Sequence, residues 1–168
     1  MKKRILILSL MVATFWACSS DSSMNESPER SATERPFKIK KIEGTFSAFP
    51  GDGESCSAFV LNAFGEGTIT HLGLSTIFEE WCWTGAPDDL GTRSITIIAA
   101  NGDELRGTHS TIQYTSANSF VETLNFNGGT GRFENATGVF IETVVTTADD
   151  PSGLTGTFVM SGEGTLTY

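Results

Sequence analysis

The last fifteen residues limit the fold more than any other stretch of the chain. Leu154, Phe158, Met160, Leu166 and Tyr168 fall on one side of a period-2 pattern, together with Gly156, Gly162 and Gly164. Thr155, Thr157, Ser161, Glu163, Thr165 and Thr167 take the other side. Successive side chains of a strand point to opposite faces, so this is a strand with one apolar face. Glycines on that apolar face suit a sharply curved sheet, where a side chain would crowd the bend. Such a strand belongs in a barrel.

The same alternation runs back to Phe37, with Gly or Asn-Gly punctuation every ten to fifteen residues. Eight segments emerge: Phe37–Phe49, Cys56–Phe64, Thr68–Leu72 running on to Leu74–Trp83, Arg93–Ala100, Glu104–Tyr114, Ser119–Asn127, Gly138–Thr147 and Gly153–Tyr168. Gly65 and Gly67 are read as an interruption, with one long bulged strand as the alternative. Asn101-Gly102 predicts a type I′ hairpin, which wants positive φ at both central residues. Asp149–Gly153 predicts a second turn, and Asn127–Gly131 is read as a loop too rich in glycine for a strand. The fold class is therefore all-β. Eight antiparallel strands with short turns close on themselves and remove exposed edges, which predicts a single closed or nearly closed eight-stranded barrel.

The N-terminus carries a different message. Lys2, Lys3 and Arg4 precede an apolar run from Ile5 to Ala17, followed by Cys18 and a serine-rich stretch. That is the layout of an export signal. The run is shorter than the roughly 20 residues of a membrane-spanning helix. It resembles a bacterial lipoprotein signal peptide, which implies removal of 1–17 and acylation of Cys18, although Phe15 and Trp16 are bulkier than usual before such a cysteine. A secretory signal without lipidation is the competing reading. Residues 18–35 are read as acylated cysteine plus flexible tether, being too polar to bury a core, and 36–168 as the barrel domain. The implied partner of the anchor is a membrane, and the expected location is the cell envelope, with outer-membrane sorting favoured.

Charge narrows the partners. The chain carries 11 Lys+Arg against 20 Asp+Glu, and the export signal takes three of the bases with it. A strongly acidic exported domain argues against a nucleic-acid partner and against charge-driven docking to anionic lipid. Cys56 and Cys82 remain as an even pair in an oxidising compartment, which favours a disulfide, with two separate buried thiols as the alternative.

Three stretches stand out together: Gly65-Glu66-Gly67-Thr68-Ile69-Thr70-His71-Leu72-Gly73, Ala99-Ala100-Asn101-Gly102-Asp103-Glu104-Leu105, and Gly128-Gly129-Thr130-Gly131-Arg132-Phe133-Glu134-Asn135-Ala136-Thr137-Gly138. Their order and spacing resemble bacterial exported relatives of the allene oxide cyclase and dirigent superfamily of eight-stranded barrels, over 37–168. The resemblance implies a fold, and an interior that holds small hydrophobic molecules. It transfers no catalytic residue, because the matching positions are glycines, His71, Arg132 and Phe133, which look like scaffold. Arg132 is expected to hold loop carbonyls or a carboxylate, and Phe133 to plug a barrel end.

Candidate chemistry is sparse. His71 and His109 are the only histidines, and with Cys56 and Cys82 they show no zinc-ligand spacing, so neither metal nor cofactor is expected. His71 is read as a hydrogen-bonded structural residue on a strand. Ile77, Glu79, Trp81 and Trp83 share one strand face. If that face looks inward, Glu79 is a candidate general acid or base among aromatics, and Ile77, Trp81 and Trp83 are candidate ligand contacts. Outward exposure is the alternative, and Glu122 and Glu142 raise the same question. The expected function is non-catalytic binding of a small apolar or aromatic molecule or envelope component. The alternatives are an isomerase or cyclase with a buried carboxylate, and a structural or adhesive module. A binding barrel should hold an apolar cavity of about 300 Å³ or more.

Overall fold

A computed structural model describes residues 32–53, 56–84 and 91–168. The predicted export signal, Cys18 and most of the predicted tether lie outside the described residues. Eight strands follow in order: β1 (Glu34–Pro50), β2 (Phe59–Ile69), β3 (Gly73–Trp83), β4 (Thr92–Ile98), β5 (Glu104–Ser116), β6 (Ser119–Gly129), β7 (Thr137–Ala148) and β8 (Thr155–Thr167). Each pairs antiparallel with its neighbours in sequence, and β1 pairs with β8 to close an eight-stranded barrel. The expected architecture is the one observed.

Local sequence explains the departures from regular alternation. Ile39-Lys40-Lys41-Ile42 would put the two isoleucines on opposite faces. A register shift in the pairing of β1 with both β2 and β8 falls here. Both isoleucines turn inward and both lysines outward, as an inserted bulge residue permits. Phe158 explains two glycines. Its ring lies across Gly44 and Gly65, where an added Cβ would sit 2.6 and 2.9 Å from ring atoms.

Several boundaries move. Gly65 and Gly67 do not interrupt a strand: β2 runs through both and ends at Ile69. The reversal comes at Thr70–Leu72, where His71 adopts a left-handed φ of 66°. His71 therefore sits in a turn, not on a strand. Asn127, Gly128 and Gly129 extend β6 instead of forming a loop, and an added Cβ at Gly129 would lie 1.9 Å from the Glu104 carbonyl oxygen. Close backbone approach, not turn formation, explains that glycine. Asn101-Gly102 makes no two-residue type I′ turn. Gly102 has φ 88°, but among the described non-glycine residues only His71 has positive φ. β4 and β5 are joined instead by Ala99–Asp103, closed by Ala99 N–H donating to the Asp103 carbonyl at 2.9 Å. Glu34 and Arg35, expected in the tether, pair with Thr167 and Leu166. Leu154, expected on the apolar face of β8, lies before that strand and is exposed.

The two ends of the barrel differ. At one end Phe37 meets Phe126 and Phe140 edge to face, with ring centroids 5.0 and 5.2 Å apart. Ile69, Ile97, Leu105, Leu124 and Leu166 are fully buried in the same core. A 3₁₀ turn at Gly131–Phe133 drops Phe133 into this end, where it is fully buried against Tyr168. Burying a phenylalanine contributes about 2 to 3 kcal/mol, so this turn acts as a plug. Arg132 holds it. Its Nη2 donates to the His71 carbonyl at 3.1 Å, and its Nε lies 3.6 Å from the Asp103 carboxylate. The three glycine-bearing stretches around His71, Asp103 and Arg132 thus meet at the sealed end.

Candidate functional site

Toward the opposite end the interior changes character. Five consecutive strands each send one ionisable side chain inward: Glu79 from β3, Arg93 from β4, His109 from β5, Glu122 from β6 and Glu142 from β7. Period-2 alternation places them. Ile77, Ile95, Gly107, Leu124 and Phe140, each two residues away, are buried on the same strand faces. The inward reading of the Glu79 face is the observed one, and Leu74 and Phe78 on the other face are exposed.

Register sets the internal partners. Glu122 and Glu142 face each other directly across β6 and β7, an arrangement that costs stability for like charges. Each is drawn to a different cation or donor. Arg93 Nη1 pairs with Glu122 Oε1 in a buried ion pair. His109 Nε2 lies 2.9 Å from Glu142 Oε1 and 3.7 Å from Glu122 Oε2. Arg93 also stacks its guanidinium 4.1 Å above the ring of Trp81, its partner across β3 and β4. A charge removed from water needs such partners, because an isolated buried ion costs several kcal/mol.

The pairing is incomplete. Glu79 Oε1, Glu142 Oε2, His109 Nδ1 and the Trp81 indole nitrogen are buried with no hydrogen-bond partner. Burial and the nearby Glu142 carboxylate push the Glu79 carboxyl up from 4.5 to about 7, against the opposing pull of His109 and Arg93. Glu79 thus exchanges its proton near neutrality, as a general acid or base requires. Burial lowers Arg93 from its usual value, while the surrounding carboxylates favour its charge.

Above this ring lies a cavity of about 190 Å³. Its walls include Phe46, Leu61, Phe120, Val144, Phe158 and Met160, and Glu79, Trp81, Arg93 and His109 contribute its polar side. The volume is smaller than the roughly 300 Å³ expected of a binding barrel. It suits a compact ligand.

The expected ligand wall is redrawn. Trp81 lines the cavity. Ile77 does not, because it lies one layer deeper in the packed core. Trp83 is also outside the lining and packs against Phe59, with ring centroids 4.7 Å apart. His71, Arg132 and Phe133 belong to the sealed end. His71 Nε2 lies 3.1 Å from the Pro36 carbonyl oxygen, so it is hydrogen-bonded, though from a turn. A disulfide joins Cys56 to Cys82, Cα atoms 5.3 Å apart, and fastens the β1–β2 connection to β3 near the open end. Arg93 and His109 are the residues of the ring that sequence reasoning left out. The signal was present in Arg93-x-Ile95-x-Ile97 and Leu105-x-Gly107-x-His109, the same alternation that singled out Glu79.

No family model, curated protein or solved structure matches the chain.

Proposed function

We propose that this protein is an exported barrel, anchored to an envelope membrane through an acylated Cys18, that binds a compact, mostly apolar molecule bearing one polar end. The observation that carries the reading is the cavity itself: apolar walls above a floor of Glu79, Arg93 and His109. Such a floor orients a ligand through its polar end, while the walls exclude water from the rest. The resemblance to barrels that hold small hydrophobic molecules supports the same reading. A structural or adhesive module is the second reading, and a cavity below about 300 Å³ is the observation that favours it.

One observation favours a catalytic variant. Glu79 lines the cavity, leaves an oxygen without a partner, and exchanges its proton near pH 7. A carboxyl of that kind suits proton transfer in an isomerisation or cyclisation. Native mass spectrometry of the protein purified from envelopes tests binding, with a retained small molecule as the expected result. Loss of that molecule in a cavity-filling Val144→Phe variant, with folding intact, assigns it to the barrel. If no molecule is retained, and none from a panel of compact apolar acids, alcohols and amines binds, the reading fails. Glu79→Gln then separates the variants, because a binder keeps its ligand and an enzyme loses turnover. Intact mass of the exported protein tests the anchor, and an unmodified Cys18 rejects it.

A further inference from the structure

We propose that Glu79, His109 and Glu142 together bind one divalent first-row transition-metal ion inside the barrel. The inference stands on these three residues and holds whether or not the cavity takes an organic ligand.

The geometry is that of a donor set. Each residue offers one ligand atom, and the three atoms all lie within 4.8 Å of one another. A common ion about 2.1 Å from each donor places donors roughly 3 to 4 Å apart, so side-chain rotation closes the difference. The donors come from β3, β5 and β7, which a closed barrel holds at one level. Rigid strands position ligands better than loops do.

Burial supplies the second argument. The side chains of His109 and Glu142 are 1% and 0% exposed. Yet Glu142 Oε2, Glu79 Oε1 and His109 Nδ1 have no hydrogen-bond partner. Buried polar atoms are nearly always satisfied, and orphans clustered in one place call for an unseen partner. Arg93 is a nearby positive charge that acts on both Glu79 and Glu142, but it hydrogen-bonds neither orphaned oxygen. Its ion pair is with Glu122 and its guanidinium stacks on Trp81. A dication held by one oxygen of each carboxylate and one imidazole nitrogen would offset this buried excess of acid.

Donor chemistry selects the class of ion. Calcium and magnesium favour all-oxygen sites, whereas an imidazole with two carboxylates suits zinc, manganese, iron or cobalt. Glu79 and His109 line the cavity, so a coordination position would open toward it, as in sites that keep one place for water or ligand. The zinc set that the sequence alone suggests considering is His71, His109, Cys56 and Cys82. Of those four only His109 belongs to this cluster. His71 lies in the turn at the sealed end, and the cysteines form a disulfide.

The test uses the full-length protein in detergent, stripped with chelator and titrated with Zn²⁺ alone by calorimetry. One saturable equivalent is expected. His109→Gln and Glu142→Gln should each weaken it at least about tenfold, a loss that even outer-shell changes cause, while His71→Gln leaves it unchanged. Because the chain has only two histidines, imidazole ¹⁵N resonances provide a readout that needs no variant at the site. Zn²⁺ should shift one histidine, and that signal should persist in His71→Gln. The proposal is overturned if stripped wild-type protein takes up no Zn²⁺ at one equivalent. It is equally overturned if the shifted imidazole is that of His71, or if folded His109→Gln or Glu142→Gln binds as wild type does.

Discussion

His109 holds a Glu142 carboxylate oxygen at 2.9 Å, linking β5 to β7 across the intervening β6. The contact resolves a conflict set by register, since Glu142 otherwise faces Glu122 directly. One acid goes to His109 and the other to Arg93. Of the ring's three acids, Glu142 and Glu122 each keep a partner of their own, while Glu79 retains an oxygen without one.

Removing Arg93 should therefore be costly. Arg93→Met leaves Glu122 buried without its counter-charge, and breaking one side of a buried pair costs about 3 to 5 kcal/mol. The double variant Arg93→Met/Glu122→Leu should recover most of that loss, because an apolar replacement of both partners is often neutral. Urea denaturation of the two variants measures the difference. A double variant no more stable than the single one would contradict the pairing.

Glu79 sets a pH dependence in chelator-treated protein. Its carboxyl titrates at 4.5 when unfolded and at about 7 in the fold. Between these values the folded state keeps a proton that the unfolded state has lost. Stability from this group is therefore complete below 4.5, falls as pH rises through 7, and is flat above. The total fall is on the order of 3 kcal/mol. Glu79→Gln should lack this component and exceed wild type in stability above that range, as thermal melts across pH will show.

The sealed end should respond independently of the cavity. Arg132→Ala loses the bond to the His71 carbonyl, the Asp103 pairing and the stacking 4.6 Å from the Phe133 ring. A half-exposed arginine with these contacts is worth about 1 to 2 kcal/mol. Melting temperature should drop while any retained cavity ligand stays bound. Loss of ligand without loss of stability would argue against the division into two ends.

The disulfide closes a segment of 26 residues, which stabilises by roughly 3 kcal/mol through the unfolded chain. Cys56→Ser/Cys82→Ser should lose about that amount, and wild-type protein under reductant should match it. Comparing denaturant midpoints of the two preparations checks both.

Architecture was legible in the sequence because a barrel strand repeats every two residues, and β8 displays that repeat with glycines on its inner face. Turn chemistry misled at Asn101-Gly102, where the loop takes five residues. It also misled at Asn127–Gly129, where glycine serves close backbone contact inside a strand. Thr68–Leu72 looked like a strand, yet His71 takes the left-handed conformation that reverses the chain. Within the site, Glu79 was singled out by its aromatic neighbours. Arg93 opens its predicted strand and His109 is considered only in a zinc set with His71, Cys56 and Cys82, so neither is read together with the glutamates. Only the side-chain contacts of the closed barrel bring them to the glutamates.

Glu34 and Thr167 face each other as pairing partners, so the barrel's first and last strands start and stop at one spot on the plugged side. A short linker there, with new ends cut in the hairpin at Asp149–Gly153, would give a circularly permuted protein that keeps every strand neighbour. On the mouth side, the described β5–β6 connection at 117–118 could then be lengthened or exchanged, as in an engineered cup, without disturbing how the staves are joined.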